Sequence, residues 1–273
     1  MPLYVVATPI GNLQDLTARA REILSTCDGV VAEDTRHSEK LLRHLGVRKA
    51  LHSLPAFDEQ ARADGILSRL ASGASLALVT DAGTPAVSDP GSILVRKAVA
   101  QGIPVIPVPG PSAAIAAVSV SGFPETRFHF AGFLPRKQKT RGEMLGELRA
   151  LRSQLVFYES PQRLGETLRE LHGALGDRTA LVARELTKVH EELARGTLSE
   201  LATRFAGETR GEIVIVVSGA GVPEAADPAE LEQEVRDRLA RGERPKGIAE
   251  ALGPAHGKRE VYQLALRLQE ESD

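Results

Sequence analysis

One cysteine, Cys27, stands in 273 residues, so no disulfide forms within the chain, and no Cys/His cluster has zinc spacing. No metal is expected. Tryptophan is absent and aromatic residues make up 4% of the chain, which leaves few rings for stacking on nucleobases. No apolar run approaches the ~18 residues of a membrane span, and no charged-then-apolar leader opens the chain. A cytoplasmic protein without membrane contact is expected. Neither sign of charge prevails: 34 Lys and Arg face 36 Asp and Glu, for a net charge of -2. Any polyanionic partner must therefore be held by a local patch. The dinucleotide fingerprint Gly-x-Gly-x-x-Gly and the P-loop are both missing, which removes the two commonest phosphate cradles.

What the chain does have is a repeated pattern of an apolar strand-like run opening into a Gly/Pro-rich loop. Leu76-Ala77-Leu78-Val79-Thr80 leads into Asp81-Ala82-Gly83-Thr84-Pro85-Ala86-Val87-Ser88-Asp89-Pro90-Gly91. Ile103-Pro104-Val105-Ile106-Pro107-Val108 leads into Pro109-Gly110-Pro111-Ser112, and Leu3 to Thr8 into Pro9-Ile10-Gly11-Asn12. Loops at the carboxyl ends of strands line the ligand crevice of an open α/β sheet. Three in one half predict a small-molecule site. Their prolines remove backbone donors, which suits a neutral or apolar ligand surface better than a pyrophosphate. Asp81, at a strand end, is either a turn or helix cap or an acceptor for a ribose hydroxyl or an ammonium group.

Strand-like and helix-like segments alternate along the chain. Gly46 and Gly73 sit where helices should end. The rhythm breaks at Ser121-Gly122-Phe123-Pro124 and resumes with apolar runs at Phe128 to Ala131, Leu155 to Tyr158, Thr179 to Val182 and Glu212 to Val217, with helices expected between them. A small-residue linker, Pro223 to Pro228, precedes a charged helical stretch that Gly242 and Gly253 divide into about three helices. The reading is an α/β protein: one domain over residues 1–122, a second over 123–222 with a cleft between them, and a helical unit over 223–273. The mixed charges of that last unit argue against a helix-turn-helix reader of nucleic acid.

Several motifs in order carry a resemblance: Thr8-Pro9-Ile10-Gly11-Asn12-Leu13, Ala32-Glu33-Asp34-Thr35-Arg36, Thr80-Asp81-Ala82-Gly83-Thr84-Pro85, Ser88-Asp89-Pro90-Gly91, Pro109-Gly110-Pro111-Ser112-Ala113, Gly132-Phe133-Leu134-Pro135, Phe157-Tyr158-Glu159-Ser160-Pro161 and Ala183-Arg184-Glu185-Leu186-Thr187-Lys188. Together they resemble the tetrapyrrole methylase superfamily, and within it the branch that methylates ribosomal RNA. The resemblance implies two α/β domains of tetrapyrrole-methylase type, S-adenosyl-L-methionine folded into the cleft, and a homodimer. It also implies 2′-O-methylation of a cytidine in the decoding region of 16S rRNA, free or in the small ribosomal subunit. Phe57-Asp58-Glu59-Gln60 departs from the pattern, since relatives carry His-Asn-Glu-Gln or a close variant there.

Carried over motif by motif, the donor site comprises Pro9, Asp81, Ala82, Gly83, Val87, Ser112 and Ala113 from the first half and Tyr158, Glu159 and Leu186 from the second. The residue types agree: Asp81 suits polar groups of the donor, Val87, Ala113 and Leu186 form an apolar slot for adenine, and Ser112 offers a backbone donor at a helix start. Methyl transfer needs chiefly alignment, yet a ribose hydroxyl gains from a base or from a cation beside the developing alkoxide. Glu33, Asp34 and Arg36 form one candidate set; Arg184, Glu185, Lys188 and Glu191 form another. Each is otherwise a solvated, salt-bridged helix start. Arg36 and Lys188 are the favoured catalytic cations.

Arg136-Lys137-Gln138-Lys139-Thr140-Arg141 has no acidic residue between Glu125 and Glu143 and follows the Gly132 to Pro135 loop. Arg136, Lys137, Lys139 and Arg141 are accordingly the expected RNA phosphate contacts. Phe57, Phe133 and Tyr158 are the candidate stacking rings, or else core. Two rivals remain. One is a corrin or porphyrin ring methylase of the same superfamily; the other is a serine hydrolase with Ser112 in a Gly-Pro-Ser-Ala-Ala elbow and His190 or His256 as its partner.

Overall fold

The computed structural model describes residues 1–221 and 228–271, so the greater part of the linker expected from Pro223 lies outside the described residues. The chain forms two compact units, residues 1–219 and 220–273. Two five-stranded sheets make up the first. No described helix is long and apolar enough to cross a membrane.

The first sheet is built in βα steps: β1 (Leu3–Val6), α1 (Ala18–Thr26), β2 (Gly29–Ala32), α2 (Thr35–His44), β3 (Ala50–Ser53), α3 (Glu59–Ala71), β4 (Leu76–Val79), α4 (Ser92–Ala100) and β5 (Val105–Val108). All strands are parallel in the order β3-β2-β4-β1-β5. Period-two alternation splits β4: Leu76 and Leu78 join Leu67, Leu70 and Leu94 in the core beneath α3 and α4, while Ala77 and Val79 join Leu24 and Leu42 beneath α1 and α2. Cys27 is buried in that second layer, a core residue. Gly46 and Gly73 take positive φ just past α2 and α3, as their positions predict. Side chains fix helix starts. Thr17 caps α1, and buried Glu59 caps α4 from a neighbouring helix, accepting from Ile93 N at 2.7 Å and Leu94 N at 3.0 Å.

The second sheet follows as α5 (Ala113–Ser119), β6 (Phe128–Phe133), α6 (Gln138–Leu148), β7 (Gln154–Glu159), α7 (Leu164–Leu175), β8 (Thr179–Arg184), β9 (Glu192–Thr197), α8 (Leu198–Arg204) and β10 (Ile213–Val217). Its order is β6-β7-β10-β8-β9; only β6 and β7 run parallel. Helices were expected between all strands, yet β8 turns directly into β9 as an antiparallel pair. The sequence hides β9 because Glu-Leu-Ala-Arg-Gly-Thr is charged, as an edge strand tends to be. Leu145, Leu168, Leu171 and Leu201 cover one face. The other face is covered by α5, whose Ala114 and Ala117 pack on Val156, Leu181, Val214 and Val216. This helix precedes the expected boundary at residue 122 but buries its apolar side on the second sheet, joining the two halves.

The C-terminal unit consists of α9 (Pro228–Ala240), α10 (Pro245–His256) and α11 (Lys258–Glu270), closed around Val235, Ile248, Val261 and Leu268. Gly242 ends α9 with positive φ. Gly253, expected to end a helix, lies inside α10 instead. A Cβ there would come 2.9 Å from Lys258 Cα, so glycine allows α11 to approach, and the break falls at Gly257.

Candidate active site

Loops leaving three adjacent strands, β4, β1 and β5, meet at one end of the first sheet, and short hydrogen bonds tie them together. Thr8 and Gly83 pair antiparallel, Thr8 N to Gly83 O at 2.8 Å and Gly83 N to Thr8 O at 3.0 Å. Thr8 Oγ1 donates to Thr80 O at 2.9 Å, and Thr84 Oγ1 to Pro111 O at 3.3 Å. Gly83 holds φ at 84°, a conformation that costs an L side chain roughly 1–2 kcal/mol. The loops are thus braced before any ligand arrives.

A cavity of about 360 Å³ opens between these loops and the second sheet, within the usual size of a small-molecule site, roughly 300–1,000 Å³. Its walls share one construction. On the first, Val87 is flanked by Ala86 and Ser88, both at φ 64°; on the second, Leu186 is flanked by Glu185 at φ 52° and Thr187 at φ 66°. These are the four non-glycine residues with positive φ among the described residues, each costing on the order of 1–3 kcal/mol. That strain presents Val87 and Leu186 to the cavity from opposite sides. A shift of register between Phe130 and Gly132 in β6 brings Phe133 to the rim, where it packs edge-on against Tyr158 at 5.6 Å. Burial raises the pKa of the Tyr158 hydroxyl.

Of the ten donor-site residues expected from sequence, Ala82, Gly83, Val87, Ser112, Ala113, Tyr158, Glu159 and Leu186 line this cavity; Pro9 and Asp81 do not. Pro9 sits between Thr8 and the lining residue Ile10. Asp81 lies just behind Ala82, and its Oδ1 is buried with no hydrogen-bond partner in the protein. The Glu159 carboxylate is committed within the protein, accepting from Ser160 N at 2.7 Å and Thr167 Oγ1 at 2.6 Å. Sequence reasoning missed Ser88, Asp89, Glu212 and Val214 among the lining residues. The Ser-Asp-Pro-Gly motif held a signal for the first two; Val214 lies on a strand whose facing only pairing reveals, and Glu212 just before it.

Asp89 faces Glu33 and Asp81 around Thr80. The Thr80 hydroxyl donates to Glu33 Oε2 at 3.4 Å. Burial, then repulsion from Asp89 and Asp81, raises the pKa of Glu33; burial, then Asp81, raises that of Asp89. No lysine or arginine forms an ion pair with Glu33, Asp81 or Asp89 among the described residues.

None of the four expected catalytic residues lines the cavity. Asp34 caps α2 through Arg36 N at 2.8 Å and holds the Arg36 guanidinium by two bonds, at 3.1 and 2.7 Å. Arg36 is otherwise in solvent, its side chain 87% exposed. Lys188 bonds Glu185 at 2.8 Å and the lining residue Glu212 at 3.1 Å. Burial opposes its charge, but these carboxylates outweigh that and raise its pKa. A Cβ on Gly11 would fall 2.5 Å from Lys188 Cγ, so the glycine after β1 makes room for a lysine of the second half. Of the stretch from Arg184 to Glu191, otherwise read as a helix start, Arg184 ends β8 and residues 185–191 form the loop joining β8 and β9. Arg184 itself pairs with Glu192 at 2.8 Å.

Arg136, Lys137 and Lys139 are exposed at the start of α6. Arg141 differs from them: its guanidinium donates to Glu170 at 2.6 Å and to the carbonyls of Pro135 and Arg136, with 13% of the side chain exposed. It is spent on fixing the loop. Phe57 is 91% exposed and Phe133 54%, so neither is core. The hydrolase reading fails. Ser112 has extended φ of -146° rather than a strained elbow, and no histidine lines the cavity. Its helix, α5, has seven residues, and the Ser112 hydroxyl makes no cap hydrogen bond.

The family described as Tetrapyrrole (Corrin/Porphyrin) Methylases matches residues 2–202. Ribosomal RNA small subunit methyltransferase I of Xylella fastidiosa is 52% identical over 228 residues, covering 82% of this chain and 84% of that protein. The protein of the same name from Halalkalibacterium halodurans is 42% identical over 273 residues, covering 96% and 93%. Among solved structures, diphthine synthase aligns with a TM-score of 0.63 at 18% identity, over 80% of this chain and 90% of that one. Uroporphyrin-III C-methyl transferase from Thermus thermophilus complexed with S-adenyl homocysteine gives 0.58 at 18% identity, over 79% and 97%. The likeness to these structures is one of fold.

Proposed function

Because this chain belongs to the tetrapyrrole methylase family and, within it, to the ribosomal RNA small subunit methyltransferase I proteins, we propose that its cleft binds S-adenosyl-L-methionine and transfers the methyl group to the ribose 2′-oxygen of a cytidine in 16S rRNA. The observation that carries this reading is the cavity itself: mostly apolar, of suitable volume, and walled by Val87, Ala113, Leu186 and Val214, with Asp81 Oδ1 left without a protein partner just behind it. The apolar walls suit an adenine ring, and the Asp81 carboxylate suits the ammonium or ribose hydroxyls of the donor. When bound, the donor supplies an electrophilic methyl on sulfonium; the chain aligns the attacking oxygen and manages its proton.

Lys188 contributes through Glu212, which it holds at the cavity edge, and Arg36 through the exposed face beside Glu33. Arg136, Lys137 and Lys139 hold RNA phosphates without reading sequence. The target lies in the decoding region, and the enzyme works in the cytoplasm as a homodimer on naked rRNA or on the small subunit. A tetrapyrrole-ring substrate is favoured only by likeness of fold, whereas the exposed cations favour RNA.

Calorimetry tests the donor site. The protein is expected to bind S-adenosyl-L-methionine, and Asp81→Ala to bind it roughly tenfold to a hundredfold more weakly while keeping the wild-type melting temperature, since a hydrogen bond to a charged group is worth about 1.5–3 kcal/mol. An unchanged dissociation constant would remove Asp81 from the site.

A further inference from the structure

Four titratable side chains line the cavity: Asp89, Tyr158, Glu159 and Glu212. Three are already engaged. The Glu159 carboxylate is 1% exposed and bound to Ser160 and Thr167, with Arg163 at 3.8 Å. Glu212 is ion-paired with Lys188 at 3.1 Å. Tyr158 is held protonated by burial and by the nearby charge of Asp89. Asp89 lines the cavity and forms no ion pair among the described residues. It sits next to Ser88, one of the strained residues that fix the wall of the cavity, and Ser88 Oγ would stand 3.3 Å from a Cβ on Gly132, so the second sheet braces the loop from outside.

We propose that Asp89 is the general base of the reaction, taking the proton of the ribose 2′-hydroxyl as its oxygen attacks the methyl carbon. This rests on the functional reading above. The new O–CH3 bond forms as the C–S bond breaks, and the bonding pair goes to sulfur, leaving neutral S-adenosylhomocysteine. The hydroxyl proton passes to an Asp89 oxygen and then to solvent through the open cleft.

The surroundings favour a carboxylate that accepts a proton readily. The charged groups grouped with it are Glu33 after β2 and Asp81 after β4, with Asp34 beyond Glu33 and Tyr158 on β7. Burial and these like charges disfavour ionisation of Asp89, so it holds a proton more tightly than a solvated aspartate. Among the described residues no lysine or arginine forms an ion pair with it.

Single-turnover methyl transfer from labelled donor to 16S rRNA of a strain lacking this protein provides the test, run from pH 5 to 9 with the full chain and with Asp89→Asn and Asp89→Glu. Asp89→Asn is expected to lose roughly a hundredfold or more in rate and to lose the acid limb of the pH profile, with donor affinity unchanged. Asp89→Glu should recover part of the rate together with a limb. If Asp89→Asn matches the wild type in rate and profile, or if its only defect is weaker donor binding, the assignment is overturned. A wild-type protein that binds the donor and leaves the RNA unmethylated overturns the functional reading, and the assignment with it.

Discussion

Glu33 carries a cost that folding imposes. Its carboxyl is partly buried facing Asp89 and Asp81, so its folded-state pKa lies above that of the unfolded chain. The folded protein then binds a proton more tightly, and the contribution of Glu33 to stability is intact at low pH and lost as pH rises through the interval between the two values. Glu33→Gln removes that loss and keeps an acceptor for Thr80. The variant is expected to melt above the wild type at pH 8, with the difference shrinking toward pH 4. Equal melting temperatures at both pH values would mean that Glu33 is solvated and the carboxylates do not interact. At this scale the sequence was legible where chemistry follows residue type and silent where it follows neighbours. Apolar lining residues such as Val87 and Leu186 were readable from their motifs. The commitment of Arg141 to Glu170, or of Arg36 to Asp34, depends on distances that no spacing encodes.

The three loops that hold the site follow strands β4, β1 and β5, which the order of the sheet makes adjacent. Strand-then-loop patterns were visible as apolar runs ending in Gly and Pro, because parallel strands buried on both faces read as continuous hydrophobic stretches. Strand β9 was invisible, since a charged edge strand lacks that run, and the packing of α5 on the second sheet was equally hidden, its alanines serving either half. The start of α6 is the element that the RNA proposal depends on. Replacing Arg136, Lys137 and Lys139 together by alanine should weaken RNA binding and lower the slope of log affinity against log salt by about 0.7 for each phosphate that is no longer neutralised. Arg141 is left in place because its bonds to Glu170, Pro135 and Arg136 hold the loop. Filter binding across a salt series checks this. A wild-type slope in the triple variant would put the phosphate track elsewhere.

In the molecule as a whole, α5 joins two sheets and a strained, mostly apolar cavity lies between them, with a basic turn and exposed rings on the surface of the same unit. The α/β class and the helical C-terminal unit were legible from alternation and punctuation. The strain that shapes the cavity walls was not, because it lies in left-handed residues at 86, 88, 185 and 187 in two segments far apart in sequence. The claim that everything else depends on is methylation of a 16S rRNA ribose, and mapping 2′-O-methylation along 16S rRNA from cells with and without this protein tests it most directly. One cytidine in the decoding region should lose its 2′-O-methyl group in the deleted strain and regain it when the chain is restored, but not when Asp89→Asn is supplied. An identical methylation map in both strains would contradict the account.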